Sequence, residues 1–139
     1  MIGGSWLRAA GGGAGGIRRR IAILGWILGG AAALGGEGTP PKRSAALLQR
    51  GKATYAIFCV ACHGERGAGD GSVAPTLNPK PRNFATERFK QGAAVGQIFE
   101  TLGKGVPGTA MVKFTNLSDE ERWALAWYVL ELKQGKPGP

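Results

Sequence analysis

The two cysteines and the single histidine of this 139-residue chain fall within five consecutive positions, as Cys59, Cys62 and His63. Having one histidine excludes a zinc site with several His ligands. It also excludes a site in which one histidine binds a metal while another acts as a base. Any metal or thiol chemistry of the chain is therefore expected to be built around this one segment.

The segment C-V-A-C-H has the spacing of a covalent haem c attachment site. Two cysteines three residues apart on a helical turn can each form a thioether with a vinyl-derived carbon of one haem, and His63 then directs its imidazole at the iron. Three alternatives are less favoured. A disulfide would be cramped, a thiol-exchange site usually follows a strand that is not predicted before Cys59, and a zinc site would need a fourth ligand.

Few residues of the chain can supply the distal axial ligand, because no second histidine exists. Met1 belongs to an N-terminal leader, so Met111, in V-P-G-T-A-M-V-K-F, is the thioether that remains for the iron. The predicted metal ligands are thus His63 and Met111. Met111 as a flexible filler of the core, and Lys104 or Lys113 as the distal ligand, stay open as alternatives.

The first 36 residues have the order of a targeting segment, since Arg18–Arg20 precede a run of 16 uncharged residues, 21–36. As a helix this run would span about 24 Å, short of the roughly 30 Å hydrocarbon core of a bilayer. We expect either a signal peptide, with the exported protein starting near Leu34 or Gly36, or an N-terminal anchor with membrane association through this run. The arginines place the rest on the exported side, and the glycines disfavour a buried helix of the main domain.

Beyond the leader the chain carries 14 basic and nine acidic residues, a net charge of +5. No dense Lys/Arg block occurs there, so nucleic-acid binding is not predicted. A solvated basic surface is one interpretation, and a docking face for an acidic partner protein is the other. The cations expected to border the bound group are Lys80, Arg82, Lys90, Lys104 and Lys113.

Apolar periodicity and capping signals predict an all-α domain over residues 44–133, after a linker at 37–43 and before a flexible tail at 134–139. Residues 64–84 hold four glycines and three prolines, which predicts a loop of about 20 residues, and loops that long in a small domain are usually functional or wrap around something. The predicted helices run from the N-cap Ser44 to about Cys59, over Ala93–Leu102, and from Ser118, with Glu121 in a capping box, to about Lys133.

Four segments together resemble a small monohaem class I cytochrome c: A-I-F-C-V-A-C-H-G, G-A-G-D-G-S-V-A-P-T-L, P-G-T-A-M and L-S-D-E-E-R-W-A-L-A-W-Y-V. The resemblance covers residues 44–133 and implies three main helices wrapped around the haem. It also implies that the carbonyl of Pro75 accepts the Nδ1 proton of His63. Many relatives follow the ligand Met with Pro, and Val112 occupies that position here. The helix crossing implied by the resemblance brings together Gly51, Tyr55, Leu125 and Tyr128.

The resemblance implies a one-electron carrier rather than an enzyme, either free or as the haem subunit of a respiratory complex. Its partners would be redox proteins, and it would act in the periplasm or on the exported side of a cytoplasmic membrane. A gas-binding or sensor module, in which Met111 is displaceable, is the alternative. A C-x-x-C thiol oxidoreductase is a third and less favoured class.

Overall fold

The computed structural model describes residues 39–136. Over this range the chain is helical, with one 3-10 turn and no strand, which confirms the predicted all-α class. The predicted leader at 1–36 and the last three residues of the predicted tail lie outside the described residues. The helices are α1 (Ala45–Phe58), α2 (Val60–His63), α3 (Val95–Lys104) and α4 (Asp119–Lys133), and the 3-10 turn is Ala74–Thr76.

Helix α1 begins and ends where the sequence predicts. The hydroxyl of Ser44 accepts a hydrogen bond from the backbone N–H of Leu47 at 3.2 Å, which satisfies one of the free donors of the first turn. At the other end Cys59 leaves helical geometry, with φ −120° and ψ −31°. The chain then resumes as the single turn α2, in which the N–H of His63 donates to the carbonyl of Cys59 at 2.8 Å.

The crossing of α1 and α4 forms the centre of the core. Gly51 is buried there, and a Cβ at this position would overlap the carbonyl oxygen of Ala124 and lie 2.8 Å from Cβ of Tyr128. Four residues later, the ring of Tyr55 contacts that of Tyr128, with centroids 5.4 Å apart. Leu125 is fully buried in the same cluster. The expected meeting of these four residues is confirmed.

Helix α3 begins and ends two residues later than the sequence predicts. The side chain of Gln97 reaches back to accept the N–H of Ala94 at 3.0 Å, so the first turn is capped from inside the helix. Gly105, with φ +72°, ends it. Helix α4 has the predicted capping box, in which the carboxylate of Glu121 accepts the N–H of Ser118 at 2.9 Å and Ser118 accepts the N–H of Glu121 at 3.3 Å.

The segment preceding α1 contacts α4 at two points. The indole of Trp127 donates to the carbonyl of Pro41 at 3.0 Å. Arg43 forms an ion pair of 2.8 Å with Glu131, whose side chain is only 8% exposed. After α4, the N–H of Lys136 donates to the carbonyl of Glu131 at 3.0 Å. None of the helices between residues 39 and 136 has the length and apolarity that crossing a membrane requires.

Candidate haem-binding site

A cavity of about 400 Å³ brings together the four side chains that the sequence predicts as haem attachment points and ligands. Cys59, Cys62, His63 and Met111 all line it. Its size is in the usual range for small-molecule and cofactor sites. The remaining wall is largely apolar, with Phe84, Ile98, Leu102, Phe114 and Val129 among its residues.

His63 is the last residue of α2, and its ring packs against an aromatic side chain. Its ring lies 4.7 Å from that of Phe84, with an angle of 31° between the two planes. Nδ1 is buried and has no hydrogen-bond partner among the described residues. Burial lowers the pKa of His63 and the nearby charge of Arg82 lowers it further, while the backbone of Arg82 acts in the opposite direction. The net effect favours the neutral imidazole, which is the form that binds a metal.

The carbonyl that follows His63 is fixed by a residue from α1. The hydroxyl of Tyr55 donates to the carbonyl of Gly64 at 2.8 Å, in a buried position. Gly64 has φ +73°, and a Cβ there would overlap the carboxylate of Asp70. The turn that ends α2 is therefore compact because glycine occupies it.

Both cysteines are free thiols in the structure, Cys59 buried and Cys62 partly exposed. Burial raises the pKa of the Cys59 thiol to about 12, and the charge of Cys62 acts in the same direction. A thiol that exchanges disulfides at neutral pH depends on a lowered pKa. The surroundings of Cys59 are thus unlike those of an exchange site.

Met111 is partly buried and packs against the core cluster. It lies in the strap, the name used here for residues 105–112, between α3 and α4. The strap is closed by bonds within itself: the N–H of Val106 donates to the carbonyl of Met111 at 2.9 Å, and the hydroxyl of Thr109 accepts the N–H of Met111 at 3.1 Å. Val112, where many relatives have proline, is 62% exposed.

The structure places Pro75 in the 3-10 turn, where it is exposed and does not line the cavity. Since Nδ1 of His63 has no partner within residues 39–136, the hydrogen bond to the Pro75 carbonyl is not formed in this structure. The assignment of that role to Pro75 stays a prediction. Of the five cations expected near the site, Lys80, Arg82 and Lys90 line the cavity, whereas Lys104 pairs with Glu100 at 2.7 Å and Lys113 is exposed.

Two residues of the site were not singled out from the sequence. Phe84 packs on His63, and its N–H donates to the carbonyl of Gly67 at 2.8 Å, so it fixes the long loop against the attachment segment. Gln91 lines the cavity and bonds to the strap through the carbonyl of Gly105 at 3.3 Å. Phe84 could have been predicted, because it is a large aromatic residue inside a Gly/Pro-rich loop. No feature of the sequence around Gln91 indicates that it belongs to the site.

The donor set fits haem c. Two free thiols, a partly buried imidazole whose pKa is lowered and a thioether line one largely apolar cavity. Thiolate sulfur forms the thioethers of haem c, and imidazole and thioether are established axial ligands of haem iron.

Comparisons with known proteins agree with this chemistry. The subunit CcoP of the cbb3-type cytochrome c oxidase of Azospirillum brasilense is 32% identical over 97 residues, which cover 68% of this chain and 32% of that protein. A chain of the reducing HAO-like protein complex of Kuenenia stuttgartiensis superposes with a TM-score of 0.64 at 35% identity. The match covers 68% of this chain and 47% of that one. The chain thus spans less than half the length of either relative.

The family model for cytochrome c matches residues 48–133, which include all four helices except the first turn of α1. This range is well over half of the chain and contains both cysteines, His63 and Met111. The fold, the cavity and the match agree on one assignment: the chain belongs to the cytochrome c family, whose members carry covalently bound haem c.

Proposed function

We propose that this protein is a one-electron carrier with one haem c and His/Met axial ligation. The observation that carries the proposal is the convergence of Cys59, Cys62, His63 and Met111 on one largely apolar cavity. When bound, haem c supplies reversible exchange between Fe(III) and Fe(II).

Each side chain has a separate task in this proposal. Cys59 and Cys62 hold the cofactor through two thioethers, so its position is set by α1 and α2. His63 supplies the proximal nitrogen, and its orientation is restricted by the ring of Phe84. Met111 would supply the distal thioether, so that no position on the iron would stay open to a small molecule. The largely apolar wall and a neutral sulfur ligand would together favour the ferrous state and a higher reduction potential.

The partners proposed for this protein are other redox proteins on the exported side of a membrane. The two relatives described above belong, by their names, to an oxidase and to an HAO-like protein complex. These names support the proposal that the protein is a subunit of a respiratory complex. Cleavage of the leader would leave the domain soluble, and retention of the leader would leave it anchored.

A basic docking face is proposed at the mouth of the cavity. Lys80, Arg82 and Lys90 line the cavity, and Glu87 is the acidic residue that accompanies them. Phe58 and Val112 also line it and are 40% and 62% exposed. Charged rims mainly raise association rates, and salt screens them. The rate of electron transfer to an acidic partner should therefore fall as ionic strength rises, and a rate that does not change with salt would contradict this part of the proposal.

Covalent attachment is tested on the chain coexpressed with a haem c maturation system. A denaturing gel stained for haem peroxidase activity should show a band at the mass of the chain, and the Cys59→Ala, Cys62→Ala double variant should show none. Extraction of all haem from the parent by acid-acetone would contradict covalent attachment.

Met111 ligation is tested by the weak far-red absorption that a thioether gives on ferric haem. The parent should show this band. Met111→Ala should lose it, bind carbon monoxide when reduced and have a lower reduction potential, because water or hydroxide stabilises ferric iron better than a thioether does. Val112→Ala, which truncates the neighbouring exposed side chain, is the control and should keep the band. A parent without the band that binds carbon monoxide readily would instead support the sensor alternative.

A further inference from the structure

The side chain of Gln91, in the segment before α3, is hydrogen-bonded to the strap. Its Nε2 donates to the carbonyl of Gly105 at 3.3 Å. Its Oε1 accepts from the hydroxyl of Thr101 at 2.9 Å. The amide of Gln91 thus bridges the last full turn of α3 and the first residue of the strap, and both Gln91 and Thr101 line the cavity.

The orientation of this amide follows from its two neighbours. The carbonyl of Gly105 can only accept a hydrogen bond, so the NH₂ group of Gln91 has to face it. The oxygen of the amide then faces Thr101, whose hydroxyl can donate. The same hydroxyl lies 2.8 Å from the carbonyl of Gln97, so its single proton is shared between two acceptors. The carbonyl of Gly105 therefore selects the amide orientation, and the hydroxyl of Thr101 adds a second contact that restrains the side chain of Gln91 in it.

Gly105 connects this bridge to Met111. Its backbone has φ +72°, and a Cβ there would lie 2.7 Å from the carbonyl oxygen of Met111 and 2.9 Å from the N–H nitrogen of Lys113. The backbones at the two ends of the strap are therefore in close contact. Because Val106 also bonds to the carbonyl of Met111, a displacement of Gly105 is passed directly to the residue that carries the thioether.

We propose that Gln91, restrained by Thr101, is a positioning residue that keeps Met111 at the iron in a chain whose strap lacks a proline after the ligand. The proposal rests on the proposed function, because it requires Met111 to be the distal ligand. In this proposal, the hydrogen bond between Gln91 and Gly105 makes Met111 harder for an external ligand to displace.

The test measures how readily imidazole, used as the probe, displaces the distal ligand of the ferric haem-loaded protein. Gln91→Leu removes the bridge at an exposed position, and Thr101→Val removes the hydroxyl that restrains the amide of Gln91. Both variants should bind imidazole about fivefold more tightly, which corresponds to about 1 kcal/mol for a neutral hydrogen bond, and should keep the far-red band in the absence of imidazole. Thr101→Ser retains the hydroxyl and should behave as the parent does.

Gln49→Leu is the matched control, since Gln49 is exposed on α1 and does not line the cavity. Imidazole affinity equal to that of the parent in both Gln91→Leu and Thr101→Val would overturn the proposal. Lower unfolding stability without a change in imidazole affinity would also overturn it, because it would show a merely structural role. If Met111→Ala itself leaves imidazole affinity unchanged, the proposed Met ligation is what fails, and the two failures are thereby separated.

Discussion

Replacing Tyr55 with phenylalanine removes one buried hydroxyl and leaves the ring that packs in the core. Tyr55 is 2% exposed, and its hydroxyl donates to the carbonyl of Gly64 at 2.8 Å. That carbonyl also accepts the N–H of Gly67 at 3.2 Å, so it is not left without a donor in the variant. The expected loss of unfolding free energy is therefore about 1 kcal/mol, rather than the 3 kcal/mol that an orphaned buried acceptor can cost.

Tyr128→Phe is the matched control for this substitution. Tyr128 is 4% exposed and packs against Tyr55, but within the described range of the chain its hydroxyl makes no hydrogen bond. We expect its removal to change the free energy of unfolding by less than about 0.5 kcal/mol.

The assay is urea unfolding of the haem-loaded protein, followed by the far-ultraviolet circular dichroism of the helices. For a domain of this size a loss of 1 kcal/mol also lowers Tm by about 4 to 8 °C. Equal stabilities of the Tyr55→Phe and Tyr128→Phe variants would refute the role of the Tyr55–Gly64 bond. A loss above about 3 kcal/mol in Tyr55→Phe would refute the argument that Gly67 keeps the acceptor satisfied.

Two further predictions concern the pH dependence of stability and the glycines of the helices. Burial raises the pKa of Tyr55 above its ordinary value of 10.0, so its contribution to stability is complete below about pH 10 and is lost as the pH rises beyond it; the urea midpoint should fall as the pH is raised above about 10, and less so in Tyr55→Phe. Gly51→Ala should lower the free energy of unfolding by about 1 to 3 kcal/mol, because its Cβ overlaps the backbone of Ala124. Gly96→Ala, whose Cβ would meet nothing closer than 3.9 Å, should raise it by about 0.5 to 1 kcal/mol; unfolding in urea measures both, and a Gly51→Ala variant as stable as Gly96→Ala would contradict the close crossing of α1 and α4.

Local signals in the sequence predicted the three longer helices to within two residues. Ser44 and Ser118 cap their helices through bonds to residues three positions away, so a short window of sequence contains both partners. The start of α3 was predicted two residues early because Gln97, which caps it, has no distinctive pattern around it. The prediction that Cys59 and Met111 lie at one site was based on the resemblance to cytochrome c and on the small number of residues able to bind iron.

Contacts between distant segments account for what the sequence did not predict. Gln91 bonds to residues 10 and 14 positions further along, and Phe84 packs on a histidine 21 positions earlier in the chain. Neither contact follows from periodicity, since both residues lie in irregular segments whose path is set by the rest of the domain. Such contacts need the fold before they can be recognised.

The two axial sides of the proposed haem site are held by different kinds of interaction, and this difference predicts which ligand is the weaker one. On the proximal side, His63 adjoins two thioether positions, and Tyr55 anchors the carbonyl of the next residue to the crossing of α1 and α4. On the distal side, Met111 is held by hydrogen bonds of the strap, each worth about 1 kcal/mol and able to break separately. Thermal opening of the site should therefore begin at the strap. Whether the protein acts as a firm carrier or admits external ligands is then a property of the strap and of Gln91, and the segment C-V-A-C-H does not decide it.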